Sequence, residues 1–259
     1  MDLGLRDQTV FISGSSRGIG RAIADRFLSE GSRVTVTGRT AASLTETRDN
    51  LAAEHGPDQV FSFLGDLTTG AVIEAALTAA DTHWGGLDHV VANLGDGRSI
   101  DGWQIGDAEW SRMMNLNFDS AVGLIEAAVP RLADRESATI TVIGSIAGRE
   151  ALGAPLAYSS AKAALHAYTA ALSRTLGPDG IRVNCVAPGN ILVPGGSWEA
   201  TLASDRQGVE SYIATDVPLR RFGRPEEIAD LTAFLASSRA SFITGACLVA
   251  DGGQTRGLY

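Results

Sequence analysis

The chain has 259 residues, 44% of them hydrophobic, and a formal net charge of −9. That content suffices for a large core in one domain spanning residues 1–259. The acidic balance, with no basic run and no interleaving of aromatic and basic residues, argues against nucleic acid and against an anionic membrane surface. No apolar stretch approaches a membrane span, and Arg6 and Asp7 interrupt the N-terminal segment before any signal-peptide core, so a cytoplasmic protein is expected.

Thr9–Ser13 is a short apolar run expected to form a buried parallel strand. The glycine-rich turn Gly14-Ser15-Ser16-Arg17-Gly18-Ile19-Gly20 follows, and a helical pattern runs from Arg21 to about Glu30, closed by Gly31. Strand, glycine turn and helix are the arrangement in which backbone N–H groups and a helix N-terminus hold a pyrophosphate. The spacing G-x-x-x-G-x-G differs from the usual G-x-G-x-x-G. The second strand, Arg33–Thr37, ends at Gly38-Arg39. A site selective for NAD wants an acid near this point. Here Arg39, with Arg17 from the turn, offers guanidinium groups to a ribose 2′-phosphate, which points to NADP(H), with NAD(H) as the lesser choice.

A helix is expected over Thr40–His55, a strand over Val60–Leu64, the loop Gly65-Asp66-Leu67, a helix over Gly70–Trp84 and a fourth strand over His89–Asn93. Asn93 and Gly95 turn the chain at the strand end, where glycine permits close backbone approach. The polar segment 96–106 lies at a strand's carboxyl end, where α/β sheets hold ligands, and its Arg98 is a candidate contact for an anionic substrate. One long helix is expected over 107–133, with Asn117 inside it, a residue with no helical advantage of its own.

A fifth strand, Thr139–Ile143, leads into Gly144-Ser145-Ile146-Ala147-Gly148. Ser145 is not a nucleophile elbow, since the following glycine comes one residue too late and no His has a triad context. Pro155 opens a helix running to Leu176 that carries Tyr158-Ser159-Ser160-Ala161-Lys162. The i to i+4 spacing stacks phenol and ammonium on one face, and an ammonium near a phenol is expected to lower the tyrosine pKa, giving a proton donor for a ketone oxygen. The chain contains 20 arginines and a single lysine, Lys162, so the compact ammonium is kept where a planar guanidinium cannot substitute.

The sixth strand, Ile181–Val186, ends in Pro188-Gly189, a rigid turn placed to wall the cofactor pocket together with Ile191. The long connection 190–221, with Trp198 and Tyr212 along it, is of a length that marks function or disorder. Cys185 and Cys247 are far apart, lack metal-type spacing and are expected to be reduced core residues; no metal site is read from the sequence.

The glycine turn, the Tyr-Ser-Ser-Ala-Lys stretch and the chain length together resemble the short-chain dehydrogenase/reductase family from Val10 to Gly253, most nearly its 3-oxoacyl-[acyl-carrier-protein] reductases. The resemblance implies a single-domain α/β fold, a doubly wound Rossmann-type parallel sheet flanked by helices. It gives Asp66 a bond to the adenine amino group, places Leu67 beside it, and makes Asn117 a helix-distorting residue that leads protons to Lys162. Ser145 would hold the carbonyl oxygen beside Tyr158, and Lys162 would also bond the nicotinamide ribose. Segment 190–221 becomes a substrate lid in which Trp198 caps the pocket or pins the lid. Ala92 replaces the first Asn of the family's Asn-Asn-Ala-Gly, and Val193 stands where a Thr is common.

The function so implied is NADPH-dependent reduction of a ketone to a secondary alcohol, with no metal needed. The substrate is a 3-oxoacyl thioester or a polar keto sugar or cyclitol. A non-catalytic NADP(H)-sensing regulator is the alternative of another class, and a homotetramer is expected.

Overall fold

The computed structural model describes residues 2–133 and 135–257. Seven strands form one sheet: β1 (Thr9–Ile12), β2 (Arg33–Gly38), β3 (Val60–Leu64), β4 (His89–Ala92), β5 (Thr139–Ile143), β6 (Arg182–Pro188) and β7 (Cys247–Ala250). Their order is β3-β2-β1-β4-β5-β6-β7, and every neighbouring pair is parallel. This is the Rossmann-type sheet. Parallel strands need covered faces, and the helices supply them.

The alternation of side chains along each strand divides the core in two. Val10, Ile12, Val34 and Val36 pack against α1 (Gly18–Ser29), α2 (Ala41–His55) and α9 (Pro225–Ala236). On the other face Phe11, Val90, Ile140 and Val183 meet α3 (Gly70–Trp84), α5 (Ser120–Leu132) and α6 (Leu156–Leu176). The strand order reverses between β1 and β4, which opens a crevice at their carboxyl ends.

Two elements depart from the sequence expectation. The single helix expected over 107–133 is α4 (Gly106–Met114), a π-helical turn over Asn115–Asp119, and then α5. The cause is the Asn117 side chain. Its Nδ2 donates to the Met113 carbonyl at 3.1 Å, competing with the backbone for an acceptor one turn back. The connection 190–221 contains two helices, α7 (Ser197–Ser204) and α8 (Arg206–Asp216), with an apolar cluster of their own formed by Val209, Ile213 and Val217 with Trp198 and Phe222.

Near the far edge of the sheet, Arg182 of β6 donates from Nη1 to the carbonyls of Leu235 (2.7 Å) and Ile243 (3.3 Å), and from Nη2 to those of Ala236 (3.1 Å) and Ser237 (3.0 Å). It thereby satisfies carbonyls that the end of α9 leaves without helical partners. Among the described residues no helix is long and apolar enough to cross a membrane.

Candidate active site

A cleft of about 900 Å³ opens at the carboxyl ends of β1, β2, β4, β5 and β6. At one end Gly14, Ser16, Arg17, Gly18, Ile19 and Gly20 line it. The turn is rigidly held. Asn93 Nδ2 donates to the carbonyls of Ser13 (3.1 Å) and Gly14 (2.9 Å), and Ser13 Oγ accepts from the N–H groups of Asn93 (2.9 Å) and Leu94 (3.1 Å). A Cβ at Gly20 would collide with the Gly14 carbonyl and Asn93 Nδ2, so α1 can approach the turn only through glycine. Arg17 at the start of α1 makes no side-chain cap. The first N–H groups of the helix therefore have no capping oxygen from that residue, which suits an anion.

Arg39 and Arg17 are exposed and line the cleft; Arg17 Nη1 lies 3.8 Å from a Cβ added at Gly195, and a Cβ added at Gly38 would lie 2.9 Å from Ser16 Cβ and Oγ. Asp66 and Leu67 also line the cleft. Asp66 Oδ1 accepts from Thr68 N (3.1 Å) and Oγ1 (2.9 Å), which fixes the carboxylate at the lip. The glycine cradle, the anion-binding helix start and the cleft-lining guanidiniums fit a dinucleotide phosphate.

At the other end Ser145, Tyr158 and Lys162 share the cleft wall with Asn93, Gly95, Pro188, Gly189 and Ile191. Ser145 lies just beyond β5, and its Oγ accepts from Ala147 N–H at 3.1 Å. Lys162 is 3% exposed and donates from Nζ to the Ile143 carbonyl at 2.9 Å. Nζ stands 5.8 Å from the centre of the Tyr158 ring. Burial lowers the Lys162 pKa to about 8, with the neighbouring Cys185 opposing.

The Tyr158 pKa is not lowered, as the spacing to Lys162 leads one to expect, but raised. Burial raises it above the ordinary tyrosine value, against a smaller downward pull from the Ser145 hydroxyl, and Asp96 adds to the rise. The i to i+4 spacing does bring the two side chains to one face, but the lysine chain runs on to β5, and desolvation of the phenolate dominates.

Asn117 is the one expected catalytic residue that does not line the cleft. It is fully buried and spends its carboxamide on backbone: Oδ1 accepts from Asp96 N–H (3.0 Å), and Nδ2 donates to the carbonyls of Asp96 (3.1 Å) and Met113 (3.1 Å). Gly95 lies between it and the lysine, its added Cβ falling 2.8 Å from Asn117 Oδ1 and 3.2 Å from Lys162 Nζ.

Arg98 lines the cleft but is paired with Asp96 at 2.9 Å, so its charge is already answered. Burial pushes the Asp96 carboxyl up, yet the hydrogen bonds and charge of Arg98 outweigh it and hold the group below its ordinary range. Trp198 both lines the cleft and ties α7 to α8, stacking on Tyr212 (5.7 Å between centroids) and meeting Phe222 edge-on (5.4 Å). Val193 packs against the glycine turn, 2.9 Å from a Cβ added at Gly18.

Sequence reasoning reaches Asn190, as a polar lid residue able to meet a hydroxylated ketone, but misses Gln254 and the triad the two form with Tyr212. Gln254 Nε2 (2.6 Å) and Asn190 Nδ2 (3.3 Å) both donate to the Tyr212 hydroxyl, and Asn190 Nδ2 also donates to Gln254 Oε1 at 2.8 Å. All three residues line the cleft. Gln254 is 5% exposed; its place directly after Asp251-Gly252-Gly253 is the one signal the sequence offers.

The family model described as enoyl-(acyl carrier protein) reductase matches residues 14–255. Isoepoxydon dehydrogenase of Penicillium expansum is 33% identical, over 96% of this chain and 95% of its own. The 3-oxoacyl-[acyl-carrier-protein] reductase of Chlamydia trachomatis is 31% identical over 96% of this chain and 98% of its own. Among solved structures, L-sorbose reductase of Gluconobacter frateurii, in complex with NADPH and L-sorbose, superposes with a TM-score of 0.93 at 30% identity, covering 100% of both chains. With the sheet order, the glycine turn and the Tyr158–Lys162 helix, these likenesses show that the chain belongs to the short-chain dehydrogenase/reductase family of oxidoreductases.

Proposed function

We propose that this protein reduces a polar, hydroxylated ketone, of the keto-sugar or cyclitol kind, to a secondary alcohol with NADPH. The observation that carries the reaction class is the meeting of Ser145, Tyr158 and Lys162 at one end of a cleft whose other end is a glycine-built anion cradle. Gly14, Gly18 and Gly20 would admit the pyrophosphate, Arg17 and Arg39 the 2′-phosphate, and Asp66 the adenine. When bound, that cofactor supplies hydride chemistry.

Ser145 donates a hydrogen bond to the carbonyl oxygen and polarises it. Tyr158 gives that oxygen its proton, and the raised pKa of the buried phenol keeps the proton in place until charge develops on the oxygen. Lys162, with a pKa of about 8, keeps a positive charge beside the phenolate that forms. Asn117 acts through Asp96, as a positioning residue, by fixing the chain after β4.

The substrate class rests on the Tyr212 triad. The Tyr212 oxygen accepts two hydrogen bonds, so its own proton is left for an acceptor in the cleft, such as a substrate hydroxyl. Arg98 is neutralised by Asp96, and the chain is acidic overall, which weighs against an anionic carrier-bound thioester. The polyol ketone in the L-sorbose reductase complex supports the same choice. The proposal includes one domain with residues 190–221 as its lid, a cytoplasmic setting and a homotetramer. A monomer mass in light scattering at micromolar protein would reject the tetramer.

The test is NADPH consumption with a panel of keto sugars and with an acetoacetyl thioester, using Tyr158→Phe as blank. Turnover of polar ketones, lost in the variant, is expected. Turnover of the thioester alone would reject the substrate class, and an active Tyr158→Phe would reject the mechanism.

A further inference from the structure

Three soft or borderline donors meet close behind the catalytic lysine. Cys185 of β6 and Cys247 of β7 are register partners on adjacent parallel strands. Alternation along β6 puts Cys185 on the face of Val183, the face that α6 covers, and α6 brings down His166 four residues beyond Lys162. The two Sγ atoms and a ring nitrogen of His166 all lie within 4.8 Å of one another. His166 Nε2 is buried and has no hydrogen-bond partner among the described residues. Both cysteines are free thiols. Space between these groups is kept open by Gly144, whose added Cβ would fall 2.5 Å from His166 Nε2 and 2.7 Å from Cys185 Sγ.

We propose that Cys185, Cys247 and His166 form a zinc site, with solvent completing the tetrahedron. A tetrahedral ion with Zn–S near 2.3 Å and Zn–N near 2.0 Å draws its donors to roughly 3.5–3.8 Å of one another. From separations of no more than 4.8 Å, the donors close on the ion by up to about 1.3 Å. Two thiolates and a neutral imidazole suit zinc by ligand softness and leave the occupied site without net charge, which a buried position beside Lys162 favours.

The thiols are unequal beforehand. The two shift in opposite directions: Cys247 is held low, chiefly by the Cys185 thiol and further by His166 and Arg149, while Cys185 is raised by Cys247 and by burial. Zinc binding forms two Zn–S bonds and one Zn–N bond in place of whichever S–H bonds the thiols carry, and those protons pass to solvent. Cys247 is only half-buried on the edge strand, which gives the ion an entry path. Sequence spacing concealed the set because its members come from a helix and two strands.

A second group, Asp25, Glu54 and His55, also gathers metal-type donors. It is an outlying cluster in which His55 Nε2 already bonds Asp25 at 2.7 Å, and it serves as the control.

The test is zinc titration of the chelator-stripped full-length protein, read by calorimetry and by metal content after gel filtration, with cobalt as spectroscopic probe. One equivalent per chain is expected, with a thiolate-to-cobalt charge-transfer band in the near ultraviolet. Cys247→Ser and His166→Gln, the less buried members, should each weaken binding by more than the roughly 10–100-fold that loss of an outer-shell partner costs, and His55→Gln should leave it unchanged. Circular dichroism and gel filtration of each variant establish that it is folded. The proposal is overturned by absence of stoichiometric uptake, by equal uptake in the folded Cys247→Ser and His166→Gln proteins, by loss in His55→Gln alone, or by a Cys185–Cys247 disulfide in protein purified without reductant that takes up no zinc after reduction.

Discussion

Asn117 grips the backbone of Asp96 from both sides, its Oδ1 accepting from the Asp96 N–H at 3.0 Å and its Nδ2 donating to the Asp96 carbonyl at 3.1 Å. The π-helical turn is where this grip becomes compatible with a helix, because the same Nδ2 also takes the Met113 carbonyl. A local irregularity in one element thus fixes the chain that leaves β4 towards the cleft.

Asn117→Ala should strand these groups, at a cost of about 1–3 kcal/mol for each one left buried and unpaired. For a chain of this size that lowers the thermal midpoint by several degrees, roughly 2–4 °C per kcal/mol. Turnover should fall further than stability does, since the cleft wall moves. Differential scanning fluorimetry beside steady-state kinetics reads both; an unchanged midpoint would defeat the account of the grip.

Lys162 makes stability depend on pH in a definite direction. Its folded pKa of about 8 lies below the ordinary lysine value of about 10.4, so between these the unfolded chain binds more protons. The burial penalty is present in full below pH 8 and is relieved as pH rises towards 10. Lys162→Met removes the group, so its thermal midpoint relative to the parent should be highest at pH 7 and decline towards pH 10. A pH-independent difference contradicts the lowered pKa. In the parent, kcat/KM for ketone reduction should fall on the alkaline side near pH 8, because this quantity reports the free enzyme.

Arg39→Ala should weaken NADPH binding by roughly 10-fold to 100-fold, the range for losing one hydrogen bond to a charged group. NADH binding should change little. Fluorescence titration with both cofactors measures the ratio, and an equal loss for the two would mean that Arg39 does not meet the 2′-phosphate.

Tyr212→Phe deletes the hydroxyl on which Asn190 and Gln254 converge. The KM for a polar ketone should rise about 10-fold, with NADPH affinity intact. An unaltered KM would remove the triad from substrate recognition.

Much of the sheet could be read from the sequence because its strands are short apolar runs closed by glycine, as at Val10–Gly14 and Val34–Gly38. The glycine turn and the Tyr158–Lys162 spacing were equally local. What escaped depends on distant partners. The distortion at Asn117 is implied by the family resemblance, but its bonds to Met113 and to the distant Asp96 are not legible in the sequence, and the pairing of Cys185 with Cys247 follows from strand register. Lys162 was expected to serve the phenol, but its nearest acceptor is a carbonyl at the end of β5. Arg98 could not be seen as neutralised until the loop brought Asp96 onto it. Helices α7 and α8 are interrupted by Asp205 and carry Gly208 near the join, which masked them as irregular chain.

Arg182 bears on how the molecule comes apart. Four carbonyls at and beyond the end of α9 hang from one guanidinium rooted in β6, so the helix cannot fray from its C-terminus while that strand keeps its place. The last-turn amides of α9 should then exchange with deuterium only as fast as the β5–β6–β7 edge opens, and thermal unfolding should meet helix and strand as a single cooperative block.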